Sequence, residues 1–244
     1  MPDPRDPLDD LPEEALRVLE AIWARVARRR SLPSPPPFPD PERADRDGLV
    51  AVGGPLQPDV VLDAYRRGIF PMADPGGGLG WWSPDPRAIL DLDGFHVPRR
   101  LERTIRRRPY EVKVDTAWEG VVEGCADRDE TWISADFARV YGELFRRGVV
   151  HTVEAWAGEE LVGGLYGVSQ GAAFFAESMF HRATDAGKVC VVALVDRLRA
   201  RGYWLCDIQM ETSATAVFHP LHVTRGEYLA RLREALQHEA SFKD

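Results

Sequence analysis

His151-Thr-Val-Glu-Ala-Trp156, Leu161-Val-Gly-Gly-Leu-Tyr-Gly-Val168 and Ala172-Ala-Phe-Phe-Ala-Glu-Ser-Met179 form the stretch whose reading decides the fold. The three runs are rich in β-branched and aromatic residues. Polar or glycine-bearing turns at residues 157–160 and 169–171 separate them, which predicts a three-stranded antiparallel meander. A helical pattern from Lys188 to Arg201 follows, then a strand pattern from Tyr203 to Met210. A helix therefore crosses back over the sheet before its next strand, and the sheet is mixed. Upstream, Tyr110-Glu-Val-Lys-Val114 alternates as a strand does, and Thr116 to Cys125 and Ala135 to Arg147 read as helices. A closing helix is expected from Arg225 to His238.

These elements occupy residues 86–244 and predict an α+β domain. Residues 46–85 read as a small N-terminal domain, with a short helix around Pro58 to Arg67 stopped by Gly68 and Pro71. It ends in Trp81-Trp-Ser-Pro-Asp-Pro-Arg87. The two prolines fix φ and push their preceding residues away from helix, which predicts a stiff, aromatic-lined turn suited to presenting a surface. The plainer alternative is a domain junction with two half-buried tryptophans. Residues 1–45 read as an extension: Asp10 and Glu13 cap an amphipathic helix over 10–30, and the proline-rich Pro33 to Pro41 is a semi-rigid tether. No internal repeat is visible.

Composition narrows the class. No apolar run approaches the roughly 20 residues that span a bilayer. The first residues, Met-Pro-Asp-Pro-Arg-Asp, do not read as a secretory signal. Cys125, Cys190 and Cys206 are odd in number and lack Cys-x-x-Cys spacing, which fits unpaired thiols in a reducing compartment and a cytoplasmic location. The net charge of −8 argues against a nucleic-acid partner, but it averages over an exception. Pro98-Arg-Arg-Leu-Glu-Arg-Thr-Ile-Arg-Arg-Arg108 holds six arginines. On a helix, Arg99, Arg103, Arg106 and Arg107 share one side while Leu101, Thr104 and Ile105 face inward. Such a run is either a solvated face or a phosphate-contacting patch, and the density of one sign favours the patch.

Two polar constellations sit inside apolar strands. In Phe174-Phe-Ala-Glu-Ser-Met-Phe180, alternation puts Phe175, Glu177 and Met179 on one face and Phe174, Ala176, Ser178 and Phe180 on the other. A carboxylate there must find a partner or shift its pKa. Arg182 could pair with it, or it could receive a cationic ligand. In Leu205-Cys-Asp-Ile-Gln-Met210, period 2 aims Asp207 and Gln209 at the same face, either toward solvent or, if the strand is central, into the protein. No nucleophile elbow is present, and Gly76-Gly-Gly-Leu-Gly80 lacks the strand-to-helix context of a nucleotide loop. His219-x-x-His222 without a third ligand reads as structural, so no metal is expected.

Six motifs occur in one order: Gly68-Ile-Phe-Pro71, Trp81 to Arg87, Thr131-Trp-Ile133, Val162 to Val168, Glu177-Ser-Met-Phe180 and Asp207-Ile-Gln209. The series, from about Gly48 to about Leu232, resembles the leucyl/phenylalanyl-tRNA–protein transferases. The resemblance implies the acyltransferase fold shared with the Gcn5-related N-acetyltransferases. It implies transfer of Leu or Phe from aminoacyl-tRNA to the α-amine of proteins beginning with Arg or Lys, which marks them for N-degron degradation. Asp207 would orient Gln209, the pair would relay a proton from the amine, and Glu177 would meet the cationic substrate. Leu165, Phe174, Met179, Leu194 and Leu198 would line the pocket for the donor side chain, which could also admit Met. Trp132 would contact the adenosine, and Tyr65 belongs with the substrate-binding residues. Arg99, Arg103, Arg106 and Arg107 would hold the acceptor stem.

The ester is already activated, so no cofactor is expected, and a monomer away from membranes is the expected form. The chain departs from the family pattern at Met72 (usually Trp), at Ala214 (usually His) and at Val217-Phe-His-Pro220, which bears on the donor amino acid. Two rivals are an acetyl-CoA-dependent N-acetyltransferase, whose pyrophosphate loop Arg182 to Lys188 only loosely matches, and a non-catalytic reader of aminoacyl-tRNA or basic N-termini.

Overall fold

The computed structural model describes residues 38–73, 78–127 and 131–243. The helix expected over residues 10–30 and the first part of the tether lie outside the described residues. Among the described residues the chain forms two sheets. The small one is antiparallel: β3 (Leu79–Trp82) runs between β1 (Leu49–Val52) and β2 (Phe70–Ala73). Helix α1 (Pro58–Arg66) links β1 to β2. It opens on a proline, whose missing N–H costs nothing at a helix start. Gly68 follows it at φ +74°, and a Cβ there would strike the side chains of Leu229 and Tyr228.

The expected aromatic turn is corrected here. Trp81 and Trp82 are 1% and 3% exposed, so neither presents a surface nor is half-buried. They end the central strand of the small sheet, where both edges are paired and the side chains join the core. The Trp81 indole N–H donates to Gly53 O at 2.8 Å, which satisfies the ring's one polar atom.

The second sheet has seven strands in the order β10-β4-β9-β8-β7-β6-β5. These are β4 (Arg87–Leu90), β5 (Glu111–Val114), β6 (Val150–Ala157), β7 (Glu160–Gln170), β8 (Ala173–His181), β9 (Leu205–Gln209) and β10 (Leu221–Val223). The meander forms as its turns predict, with β6, β7 and β8 antiparallel neighbours. Helix α5 (Ala186–Ala200) makes the crossover, and β9 pairs parallel to β8, so the sheet is mixed. The start of α5 lies tight against β7: a Cβ on Gly163 would sit 2.7 Å from that of Ala186. Helices α3 (Trp118–Ala126) and α4 (Ala135–Arg146) cover the opposite face, with α7 (Arg225–Ala235) against β9. The core is accordingly two buried clusters, one on each face. Side chains of the small sheet share the cluster of the α3–α4 face. Strands β4 and β10, and the single-turn helix α6 (Ser213–Ala216), carry patterns too short to read from sequence.

Departures from regular pairing shape the site, among them a register shift between β4 and β9 at Asp207 to Gln209. β8 and β9 pair only at Ala173–Phe175 and Leu205–Asp207. Beyond that point β8 stays with β7 and β9 stays with β4, so the two strands separate. In addition, Ala176 faces Gly167 and Ser178 faces Tyr166, which leaves Glu177 as the unpaired residue of a β-bulge. The bulge overturns the simple alternation read from sequence. Phe175 and Phe180 now lie in one core cluster, and Phe174, Ala176 and Met179 contact the other. An extra residue re-aims a strand's side chains, and here it turns Glu177 into the gap.

Candidate active site

The gap between the separating strands is a cavity of about 270 Å³. Ala176 to Met179 of β8 form one wall, and Ile208 and Gln209 of β9 with the following Met210 form the other. Leu165, Val191 and Leu194 close the apolar floor, while Trp132, Met72 and residues 212–215 around α6 border the rest. Met72, Met179 and Met210 all lie on this surface, and the only other methionine of the chain is Met1. An unbranched, polarisable lining of this kind adapts to more than one apolar shape.

Glu177 is the half-buried carboxylate of the cavity. The hydroxyls of Tyr65 and Tyr141 lie 2.6 Å apart, and both hydrogen-bond to Glu177. Gln209 Nε2 donates to Glu177 Oε1 at 3.2 Å. Burial pushes the Glu177 carboxyl up to about 8, and the Asp207 charge adds to this. The hydrogen bonds from Tyr65 and Tyr141 and the charge of Arg87 work in the other direction. A carboxyl in this range exchanges its proton near neutral pH and ionises readily when a cation arrives. Arg182 is not its partner: that guanidinium donates to Leu161 O and lies over the Phe180 ring.

Asp207 is wholly buried and does not line the cavity, and the pairing of β9 with β4 shifts register between it and Gln209. Its carboxylate receives Arg87 Nε at 2.9 Å, Arg87 Nη2 at 2.6 Å and the Tyr228 hydroxyl at 2.7 Å. The backbone N–H of Gln209 donates to it at 2.9 Å. Asp207 therefore meets the main chain of Gln209, whereas the side-chain amide turns to Glu177. Burial alone would lower the Arg87 pKa, but the facing Asp207 carboxylate holds it above its ordinary value. Gln209 ends β9 with φ +58°, in the left-handed region that a residue with a Cβ rarely adopts. Such strain concentrates where a side chain must be aimed.

The remaining expected residues separate into groups. Leu165, Met179, Leu194 and Trp132 line the cavity, and Tyr65 lies behind Glu177. Phe174 and Leu198 do not reach it. Phe174 stacks on Phe242 within the core, and Leu198 lies on the buried side of α5. Leu198 cannot be told by type from the leucines that do line the pocket. The arginine segment forms α2 (Arg99–Arg107), with Leu101 buried, Ile105 half-buried, and Arg99, Arg103, Arg106 and Arg107 exposed. Its Thr104 hydroxyl donates to Asp185 Oδ2 at 3.1 Å, which ties the helix to the start of α5. His219 stacks on His96 with ring centres 4.3 Å apart, while His222 lies 3.5 Å from Glu211. Met72 and Ala214 both border the cavity, and Phe218 is buried against Phe95.

Sequence reading missed Arg87, Tyr141 and Tyr228. Arg87 had a usable signal, because an aspartate on a buried central strand demands a cation, and this arginine closes a motif already singled out. Tyr141 and Tyr228 had none, since each lies in an ordinary amphipathic helix.

Residues 89–233 match the model of the leucyl/phenylalanyl-tRNA protein transferase family, and residues 54–85 match the model of its N-terminal domain. A leucyl/phenylalanyl-tRNA–protein transferase of Anaeromyxobacter dehalogenans is 51% identical over 211 residues, covering 84% of this chain and 91% of that protein. The one from Rubrobacter xylanophilus is 49% identical over 188 residues, covering 77% of this chain and 98% of its own. That of Gloeobacter violaceus is 47% identical over 189 residues, with the same two shares. With the two family models matched over residues 54–85 and 89–233, the chain belongs to the leucyl/phenylalanyl-tRNA protein transferases.

Proposed function

We propose that this chain transfers leucine or phenylalanine, and also methionine, from aminoacyl-tRNA to the α-amine of proteins that begin with Arg or Lys. The product would enter N-degron degradation. The observation that carries this reading is the cavity itself, in which an apolar floor meets Glu177 and Gln209 within hydrogen-bond distance of each other. The order of meander, crossover helix and parallel strand supports the acyltransferase fold of the Gcn5-related N-acetyltransferases. We read the protein as a cytoplasmic monomer.

The donor side chain enters the floor of Leu165, Met179 and Leu194, and Trp132 stacks the terminal adenine. The α-amine of the acceptor attacks the ester carbonyl carbon. A C–N bond forms, the bond to the tRNA 3′ oxygen breaks, and the amine proton leaves with that oxygen. Gln209 holds the attacking amine through its side-chain amide, and Glu177 draws the basic N-terminal residue beside it. Positioning two reactants that are already activated is most of what such a step needs. The exposed arginines of α2 hold the acceptor stem through phosphates.

The N-acetyltransferase rival is disfavoured. The segment that would grip a pyrophosphate is closed by Thr104 on Asp185 and by the Tyr110 hydroxyl on Thr184 O. Incubation with labelled aminoacyl-tRNAs and an Arg-initiated peptide tests the assignment. Product with leucyl- or phenylalanyl-tRNA supports it; no product with any charged tRNA, beside an active control, sinks it. Charge reversal at Arg103 and Arg106 should weaken binding of every tRNA alike and flatten its salt dependence. Unchanged affinity and salt slope would return the helix to a solvated face.

A further inference from the structure

We infer that Arg87 is the positioning residue of this site, acting through Asp207 on the main-chain bend that presents Gln209. The inference rests on the transfer reading above. Arg87 begins β4, directly after the Trp-Trp-Ser-Pro-Asp-Pro segment, and β4 is the neighbour of β9. Its guanidinium is wholly buried between the rings of Phe70 and Tyr228, at 4.9 and 4.4 Å from their centres. Two of its N–H groups grip Asp207 as a fork, a geometry a lysine cannot reproduce.

With Tyr228 as third donor and the Gln209 N–H as fourth, Asp207 has filled the roughly four acceptor positions of a carboxylate. It has no oxygen left for a substrate proton and no exposure to the cavity. Its one contact with the reacting region is the backbone N–H of Gln209. That bond lies at the left-handed residue, and Met210 N donates to Ile208 O at 2.6 Å to complete the tight bend. The fork sets the orientation of Asp207, Asp207 holds the bend, and the bend aims the Gln209 amide at Glu177. A core ion pair placed for stability alone would need no contact with the residue that lines the cavity.

Arg87→Lys keeps the charge and loses the fork, and Tyr228→Phe removes one donor with little change of shape. Steady-state transfer and amide hydrogen exchange are measured for both, in the full chain. Arg87→Lys should lower kcat about a hundredfold while the aminoacyl-tRNA KM stays within about threefold, because the loss is one of alignment. Tyr228→Phe should lower kcat about tenfold, with its KM likewise held. In both variants the Gln209 amide should exchange faster while the Leu205 amide of the same strand keeps its protection. A kcat within about threefold of wild type in Arg87→Lys overturns the inference. So do Gln209 and Leu205 amides that accelerate in parallel, since that is loss of the fold. If Arg87→Lys does not fold, Tyr228→Phe decides by the same two readouts. Exchange needs no turnover, so a protein that transfers nothing yet loosens Gln209 selectively sinks the transfer reading and upholds the positioning.

Discussion

Two carboxylates flank the opening between β8 and β9, and the chain treats them in opposite ways. Asp207 meets a guanidinium fork, a phenol and a main-chain N–H, and all of its charge is answered inside the protein. Glu177 meets two phenols and a carboxamide, none of them cationic, and its carboxyl is pushed up to about 8. The contrast shows that burial does not decide a carboxylate's role. A compensated carboxylate becomes a fixture of the fold, whereas an uncompensated one stays ready for an incoming cation. Glu177 faces the cavity and Asp207 stands behind it, as that division of labour requires.

Breaking the fixed side should have the largest effect. Arg87→Met leaves Asp207 buried without its cation and should destabilise the protein by about 3–5 kcal/mol in urea unfolding. Adding Asp207→Leu to that variant should restore much of the stability and none of the transfer activity. A double variant as unstable as the single would mean that the pair's value lies in its packing.

The exchangeable side should answer with the opposite sign. Glu177 has a folded pKa of about 8 against its ordinary 4.5, so between those values the folded chain holds the extra proton. Stability therefore falls as pH rises across that window. Glu177→Gln removes the effect, so its melting temperature relative to wild type should climb from about pH 5 to about pH 8 and then level off. The same variant should raise the KM for an Arg-initiated peptide. A constant gap between the two melting curves would show that Glu177 is ionised throughout.

A finer test separates the phenols from the burial. Tyr65 and Tyr141 both lower the Glu177 pKa through hydrogen bonds to its charged form. Tyr65→Phe or Tyr141→Phe should shift the midpoint of the acceptor KM against pH upward by about one unit. An unmoved midpoint would assign the tyrosines to packing alone. The smallest effect belongs to Met210→Leu, which should cost under about 1.5 kcal/mol and change mainly the relative rates of different donors. Equal scaling of all donors would remove Met210 from the specificity wall.

Much of this is legible in the sequence. The meander, the crossover helix and the strand after it followed from period-2 and period-3.6 patterns broken by turn residues. Those patterns also put the arginines of α2 outward. Glu177 was legible as a residue in need of a partner, but not its partners. Its tyrosines are 76 residues apart in the chain, and Arg87 and Asp207 are 120 apart. The tryptophan pair was misread because proline-bound turns report local stiffness and not what covers them. The bulge was missed because alternation assumes an unbroken ladder.

By itself, the sequence determined the longer elements, their order and the inventory of polar groups that must be satisfied inside, since these depend on local periodicity and on the cost of burying charge. The tertiary structure alone decided which partner each group received. It opened β8 from β9, turned Glu177 into the gap and gave Asp207 rather than Glu177 the arginine. It also kept Phe174 and Leu198 in the core while Leu165 and Leu194 reached the cavity. Pairings over such distances are chosen by the packing of the whole sheet, and no local pattern carries that information.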